Sequence, residues 1–136
     1  MGEPPRLKLL LDTHVWIWAL LQPEELARDV ARELKDPRNE LWLSPVSVWE
    51  TLILTERGRL QLDAPSHLWV EEALGGFAVR DAPLTRAVAL ASRAVDLPHQ
   101  DPADRFIAAT ALIYGLVLVT RDHRLLSAAT GRVMPA

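Results

Sequence analysis

Apolar residues along this chain recur in two patterns. Short continuous runs bounded by polar residues read as strands buried on both faces, the signature of a parallel sheet. Longer stretches with an apolar residue every three or four positions read as amphipathic helices. In Leu7–Trp16 (LKLLLDTHVW) a short apolar strand ends on a lone acid, Asp12, and Thr13 serves as the start residue of the helix HVWIWALL. That helix breaks near Pro23. A second helix, PEELARDVARELKD, carries Pro23 in its first turn and an apolar stripe at Leu26, Val30 and Leu34. After the turn Asp36–Asn39, Glu40–Ser44 (ELWLS) reads as the next strand.

Pro45 opens a helix that Gly58 closes, with Val46, Trp49, Ile53 and Leu54 on its apolar face and Glu50 beside that face. A short helix over Pro65–Leu74 with a glycine stop follows, then FAVRDAP, a third strand or an extended link, and an alanine-rich helix, LTRAVALASRAVDLP. His99–Pro102 is a loop. Ala103–Tyr114 is strongly helical and ends at Gly115, residues 116–120 (LVLVT) form a buried strand, DHRLLSAATG closes with a short helix, and RVMP is a candidate edge strand. This order of strands and helices predicts an α/β fold, a three-layer α/β/α sandwich around a short parallel sheet.

Composition sharpens the class. The chain has 136 residues, 49% hydrophobic and 24% charged, which fits one folded domain over 1–136 and not a disordered chain. No apolar run approaches the ~20 residues that span a bilayer, and the proline-containing MGEPPRLK is unlike a signal peptide. Both point to a cytoplasmic protein with no membrane partner. The absence of cysteine removes disulfides and thiolate metal sites. A net charge of −3 speaks against nonspecific nucleic-acid binding, although the C-terminal end is relatively richer in base. Lys8 and Lys35 are the only lysines, so arginine, with its fork for phosphate or carboxylate, supplies most of the positive charge.

The chemistry lies in the acids. Asp12 and Asp122 each follow an apolar strand, so a parallel sheet puts both on one edge. In open α/β sheets that edge, beyond the strand C-termini, is where ligands bind. Glu50 and Asp104 each sit in the opening turns of a helix that begins at the same edge. Taken alone, Glu50 reads equally well as an exposed acid favoured by the helix N-terminus. Four gathered carboxylates repel one another, and a hard cation such as Mg²⁺ or Mn²⁺ relieves that repulsion with oxygen ligands. One or two such ions can activate water and stabilise a phosphodiester displacement.

The segments LLLDTHVWIW, SPVSVWET, DPADRFIAATA and GLVLVTRDHRL resemble the PIN-domain family, specifically the VapC-like toxins of type II toxin–antitoxin systems. The resemblance runs from Leu9 to about Leu126. It implies a PIN-like fold and a metal-dependent endoribonuclease whose acids fall on Asp12, Glu50, Asp104 and Asp122, with one or two Mg²⁺ or Mn²⁺ ions. Thr13 and Thr120 match hydroxyl positions beside the acids, where they orient ligands or serve simply as helix cap and strand end. The resemblance also implies an RNA substrate, a VapB-like antitoxin that blocks the cleft, and a homodimer.

Asp101, three residues before Asp104, either faces the cleft too or caps the helix that Pro102 opens; the direct ligand is assigned to Asp104. Arg105, Arg121 and Arg124 flank the acids and are candidate RNA-phosphate contacts, Arg121 equally a charge partner of Asp122. His14, His99 and His123 sit near the expected rim, without the helical pair spacing of a zinc site. Trp16, Trp18, Trp42, Trp49 and Trp69 are assigned mostly to the core, with one or two left to line a partner groove, because Trp16 and Trp18 cannot share a helix face.

Three other functions can be set against this one. A haloacid-dehalogenase-like phosphatase with an Asp12 nucleophile wants a second Asp where His14 stands. A receiver-like signalling domain wants a late lysine, and none follows Lys35. A catalytically silent PIN-like binding module would not need the full acid set.

Overall fold

Three consecutive leucines, Leu9, Leu10 and Leu11, are fully buried in β1 (Lys8–Leu11), the central strand of the sheet. This computed structural model describes residues 2–97, 100–126 and 132–136. β2 (Glu40–Leu43) pairs with one edge of β1 and β4 (Val117–Thr120) with the other. β3 (Arg80–Asp81) and β5 (Val133–Pro135) lie outermost, so the order is β3-β2-β1-β4-β5 with every pairing parallel.

Side chains alternate across a strand, so the leucines of β1 divide between two cores. Leu9 and Leu11 pack with Val117, Val119, Leu41 and Leu43 against Val15 and Trp16 of α1 (Thr13–Leu21), Val30 of α2 (Arg28–Lys35) and Val70 of α4 (Ser66–Gly76). Leu10 and Leu118 pack on the opposite face. Their partners are Val46 of α3 (Pro45–Glu56), Val88 of α5 (Arg86–Ser92), Ile107 of α6 (Pro102–Tyr114) and Leu125 of α7 (His123–Leu126). Helices thus cover both faces of the sheet, as expected. Each leucine so buried contributes about 1.5–3 kcal/mol, so a polar residue at any of these three positions would be costly, whereas Lys8, at the start of the strand, is exposed.

The chain builds outward from β1 through β2 to β3, then crosses to β4 on the other side. The order therefore reverses between β1 and β4, and a crevice opens there beyond the strand C-termini. Gly115, at φ 65°, caps α6 in the left-handed region and turns it directly into β4. α6 thus runs back along β4 and begins level with the end of that strand.

Several boundaries depart from expectation. Asp12, not Thr13, is the N-cap of α1, its side chain accepting from the Thr13 amide. Pro23–Glu25 forms a separate 3-10 turn, and the second helix starts only at Arg28. α4 continues through both glycines to Gly76. The alanine-rich helix is shorter, Arg86–Ser92. Trp49 is 57% exposed, so the apolar face of α3 is not wholly a core face. His99 and the end of the closing helix fall outside the described residues.

Candidate active site

Asp12 leaves β1 still tied to the sheet, its amide donating to the Val119 carbonyl at 3.0 Å. One carboxylate oxygen accepts from the Thr13 amide at 2.9 Å, and the other from the Thr120 hydroxyl at 2.7 Å. Thr120 is fully buried at the end of β4, and its hydroxyl also accepts the Asp122 amide at 3.0 Å. One hydroxyl thereby fixes both acids of the β1–β4 crevice.

Glu50 is reached through Thr13, whose buried hydroxyl is hydrogen-bonded to the Glu50 carboxylate and, at 2.9 Å, to the Ser47 hydroxyl. Five residues of helix separate Glu50 from Pro45, about 7.5 Å of rise, so it lies below the rim and not at it. Asp104 stands two residues into α6, nearer the opening. Asp101 caps that helix, accepting from the Ala103 amide at 3.0 Å and the Asp104 amide at 3.4 Å. Asp12, Asp101, Asp104 and Asp122 line one cavity of about 420 Å³, rimmed by His14, Trp18, Arg121 and Arg124. Glu50 does not line it.

These acids share an electrostatic field. Burial pushes the Asp104 carboxyl up to about 7, helped by the charges of Asp101, Asp12 and Asp122 and opposed by Arg124. Burial likewise raises Asp12, with Asp122 adding to it and the hydrogen bonds from Thr120 and Thr13 opposing. Glu50 is raised by burial and by the charges of Asp12 and Asp101, against its bond to Thr13. Like charges held together at partial burial favour either protons or a cation.

A cation is present in the form of Arg124. Its Nε and Nη2 lie 3.2 and 3.0 Å from the two oxygens of Asp122, and the same Nη2 is 3.4 Å from Asp104. Among the described residues, no three acids are already gathered so as to hold one metal ion. The donors nevertheless suit a hard divalent cation: all are carboxylate or hydroxyl oxygens, four acids line one cavity, and the site already draws a positive group inward.

The flanking arginines divide. Arg105 is buried, its guanidinium donating to the carbonyls of Ser92 at 3.0 Å and Val95 at 3.1 Å, so it ties α5 to α6 and does not face a substrate. It follows Asp104 by one residue and so points about 100° around the helix from it. Arg121 is not the partner of Asp122. It donates to the Ala136 carbonyl at 3.2 Å, lies 3.6 Å from Glu25 and stacks 4.3 Å from the Trp18 ring centre. Trp16 is buried while Trp18 reaches the cavity rim, as their spacing required. Ser47 was not singled out from the sequence, although its position three residues before Glu50 puts the two on one helix face.

The PIN domain family model matches residues 9–131. The chain is 37% identical over 122 residues to Ribonuclease VapC22 of Mycobacterium tuberculosis, covering 88% of this chain and 90% of that relative. Among solved structures, VapBC2 of Rickettsia felis, bound to a DNA fragment from its promoter, superposes with a TM-score of 0.69 at 13% identity, over 96% of this chain and 99% of that one. FitAcB of Neisseria gonorrhoeae gives 0.59 at 25% identity, over 93% and 96%. The parallel sheet, the acids at its switch point and these matches agree: the chain belongs to the PIN-domain family and is VapC-like within it.

Proposed function

We propose that this protein is a divalent-metal-dependent endoribonuclease, the toxin of a toxin–antitoxin pair. The observation that carries the reading is the convergence of Asp12, Asp104 and Asp122 on one cavity at the switch point of the sheet. The likeness to a VapC ribonuclease supports RNA as the substrate. Asp12, Asp104 and Asp122 would hold one or two Mg²⁺ or Mn²⁺ ions, and Glu50 would act through Thr13 or a water. When bound, the ion supplies a lowered water pKa and neutralises charge developing on the phosphodiester. Thr120 and Thr13 keep the Asp12 oxygens in one orientation, and a proton on Asp104, raised to about 7, would compete with the cation near neutral pH. Arg121 and Arg124, at the rim, would meet phosphate oxygens.

A VapB-like antitoxin, one that represses its own operon, would be the partner, in line with the VapBC2 complex of Rickettsia felis on a DNA fragment from its promoter. A homodimer is proposed as well. The exposed Trp49 beside an apolar recess of about 440 Å³ that includes Leu84 and Phe106 supports a protein contact on that face. Among the described residues no helix is long and apolar enough to cross a membrane, and a cytoplasmic location is part of the proposal.

The test is RNA cleavage by the purified protein with Mg²⁺, with chelator, and by Asp12→Asn. Metal-dependent cleavage lost in Asp12→Asn supports the reading, and cleavage unchanged by both treatments refutes it. A second reading, a silent binding module, draws on the ion pairs that Arg124 already makes across the acids. RNA or antitoxin binding without cleavage at any metal concentration would favour it.

A further inference from the structure

We propose that Arg124 is a built-in counter-cation: its guanidinium holds, between Asp104 and Asp122, the position a divalent ion must enter, so that ion binding and release of Arg124 are one exchange. The inference rests on the metal-site reading above. One nitrogen, Nη2, contacts both carboxylates, at 3.4 and 3.0 Å, and so bridges α6 to the segment after β4. A shared ion would join the same two elements. A guanidinium and a small ion that keeps several of its waters cannot both rest against those oxygens.

The surroundings allow the exchange without unfolding. Backbone bonds hold the ends of the bridge: the Asp122 amide donates to Thr120 and the Arg124 amide to the Asp122 carboxylate at 2.9 Å. The Arg124 side chain itself is 52% exposed, so it can turn out toward solvent while its Cα stays in place. Once displaced, it remains tethered at the cavity mouth, where its planar fork suits a phosphate.

The experiment is Mn²⁺ titration, by calorimetry and by the loss of the free-ion EPR signal, on wild type, Arg124→Gln, Arg124→Lys and Asp104→Asn. The exchange predicts that Arg124→Gln tightens Mn²⁺ binding roughly fivefold, the scale of two exposed ion pairs no longer opposing the ion. Arg124→Lys, which keeps the charge but not the fork, falls between, and Asp104→Asn weakens binding. In chelator Arg124→Gln melts below wild type, and saturating Mn²⁺ closes the gap. Arg124→Gln binding no tighter than wild type, with Asp104→Asn weakened, overturns the exchange and leaves the metal site standing. So does Arg124→Lys matching wild type, because charge alone then accounts for the effect. Wild type that fails to bind Mn²⁺ removes the metal site and the exchange together.

Discussion

Neutralising Asp104 should stabilise the metal-free protein at neutral and alkaline pH, although it disables the proposed metal site. In the unfolded chain this carboxyl ionises near 3.8, and in the folded protein near 7. Between those values the folded state binds more protons than the unfolded one, so stability falls as pH rises and the loss is complete above about 7. The difference corresponds to about 4 kcal/mol at most, a large part of a domain's 5–15 kcal/mol. Asp104 is only 9% exposed, so solvent screens this little. Asp12 and Glu50, also raised, act with the same sign. Asp36, lowered to about 2 by Arg38, has completed its opposite contribution by the time this window opens. Urea unfolding with chelator at about pH 5 and about pH 8 isolates the effect. Wild type should lose about 3 kcal/mol between them and Asp104→Asn clearly less, so that the variant is the more stable at the higher pH. Added Mg²⁺ should restore wild type and raise the variant less. Wild type equally stable at both pH values, or Asp104→Asn the weaker at about pH 8, would refute the reasoning.

Asp12→Asn should reduce RNA cleavage by more than the roughly 10–100-fold typical of outer-sphere partners, with an unchanged circular dichroism spectrum. Thr120→Val, which removes the hydroxyl joining Asp12 to Asp122, should cost that 10–100-fold itself, read as Mn²⁺ affinity. Mn²⁺ should bind more tightly as pH rises through about 7 and level off above it, because the proton on Asp104 competes with the cation; affinity independent of pH between about 5 and 8 would contradict this. Arg105→Ala should destabilise the fold by roughly 3 kcal/mol by orphaning buried carbonyls, with RNA affinity per folded molecule unchanged in filter binding.

The elements that hold the site could be read in the sequence because their signals are local. Leu9–Leu11 and LVLVT are short apolar runs that read as strands buried on both faces, and Asp12 follows the first directly and Asp122 the second after Arg121. Gly115 and Pro102 bracket α6 and so place Asp104. What escaped depends on packing between distant segments. Arg105, Arg121 and Arg124 look alike in sequence, yet one is buried under α5, one stacks on Trp18, and one spans two acids. Only tertiary neighbours separate them. Trp49 misled for the opposite reason: helical period marks an apolar face and does not say whether the protein's own core covers it. Pro23 fits both a first helical turn and a 3-10 turn, and the backbone adopted the latter.

The central claim is that the acids beyond β1 and β4 take up a divalent ion together. Anomalous diffraction from crystals soaked in Mn²⁺ tests it most directly. The account predicts a peak inside the cavity, about 2.1 Å from oxygens of at least two of Asp12, Asp104 and Asp122, with Arg124 swung away. A cavity without a peak at saturating Mn²⁺, with Arg124 still bridging Asp104 and Asp122, would contradict it.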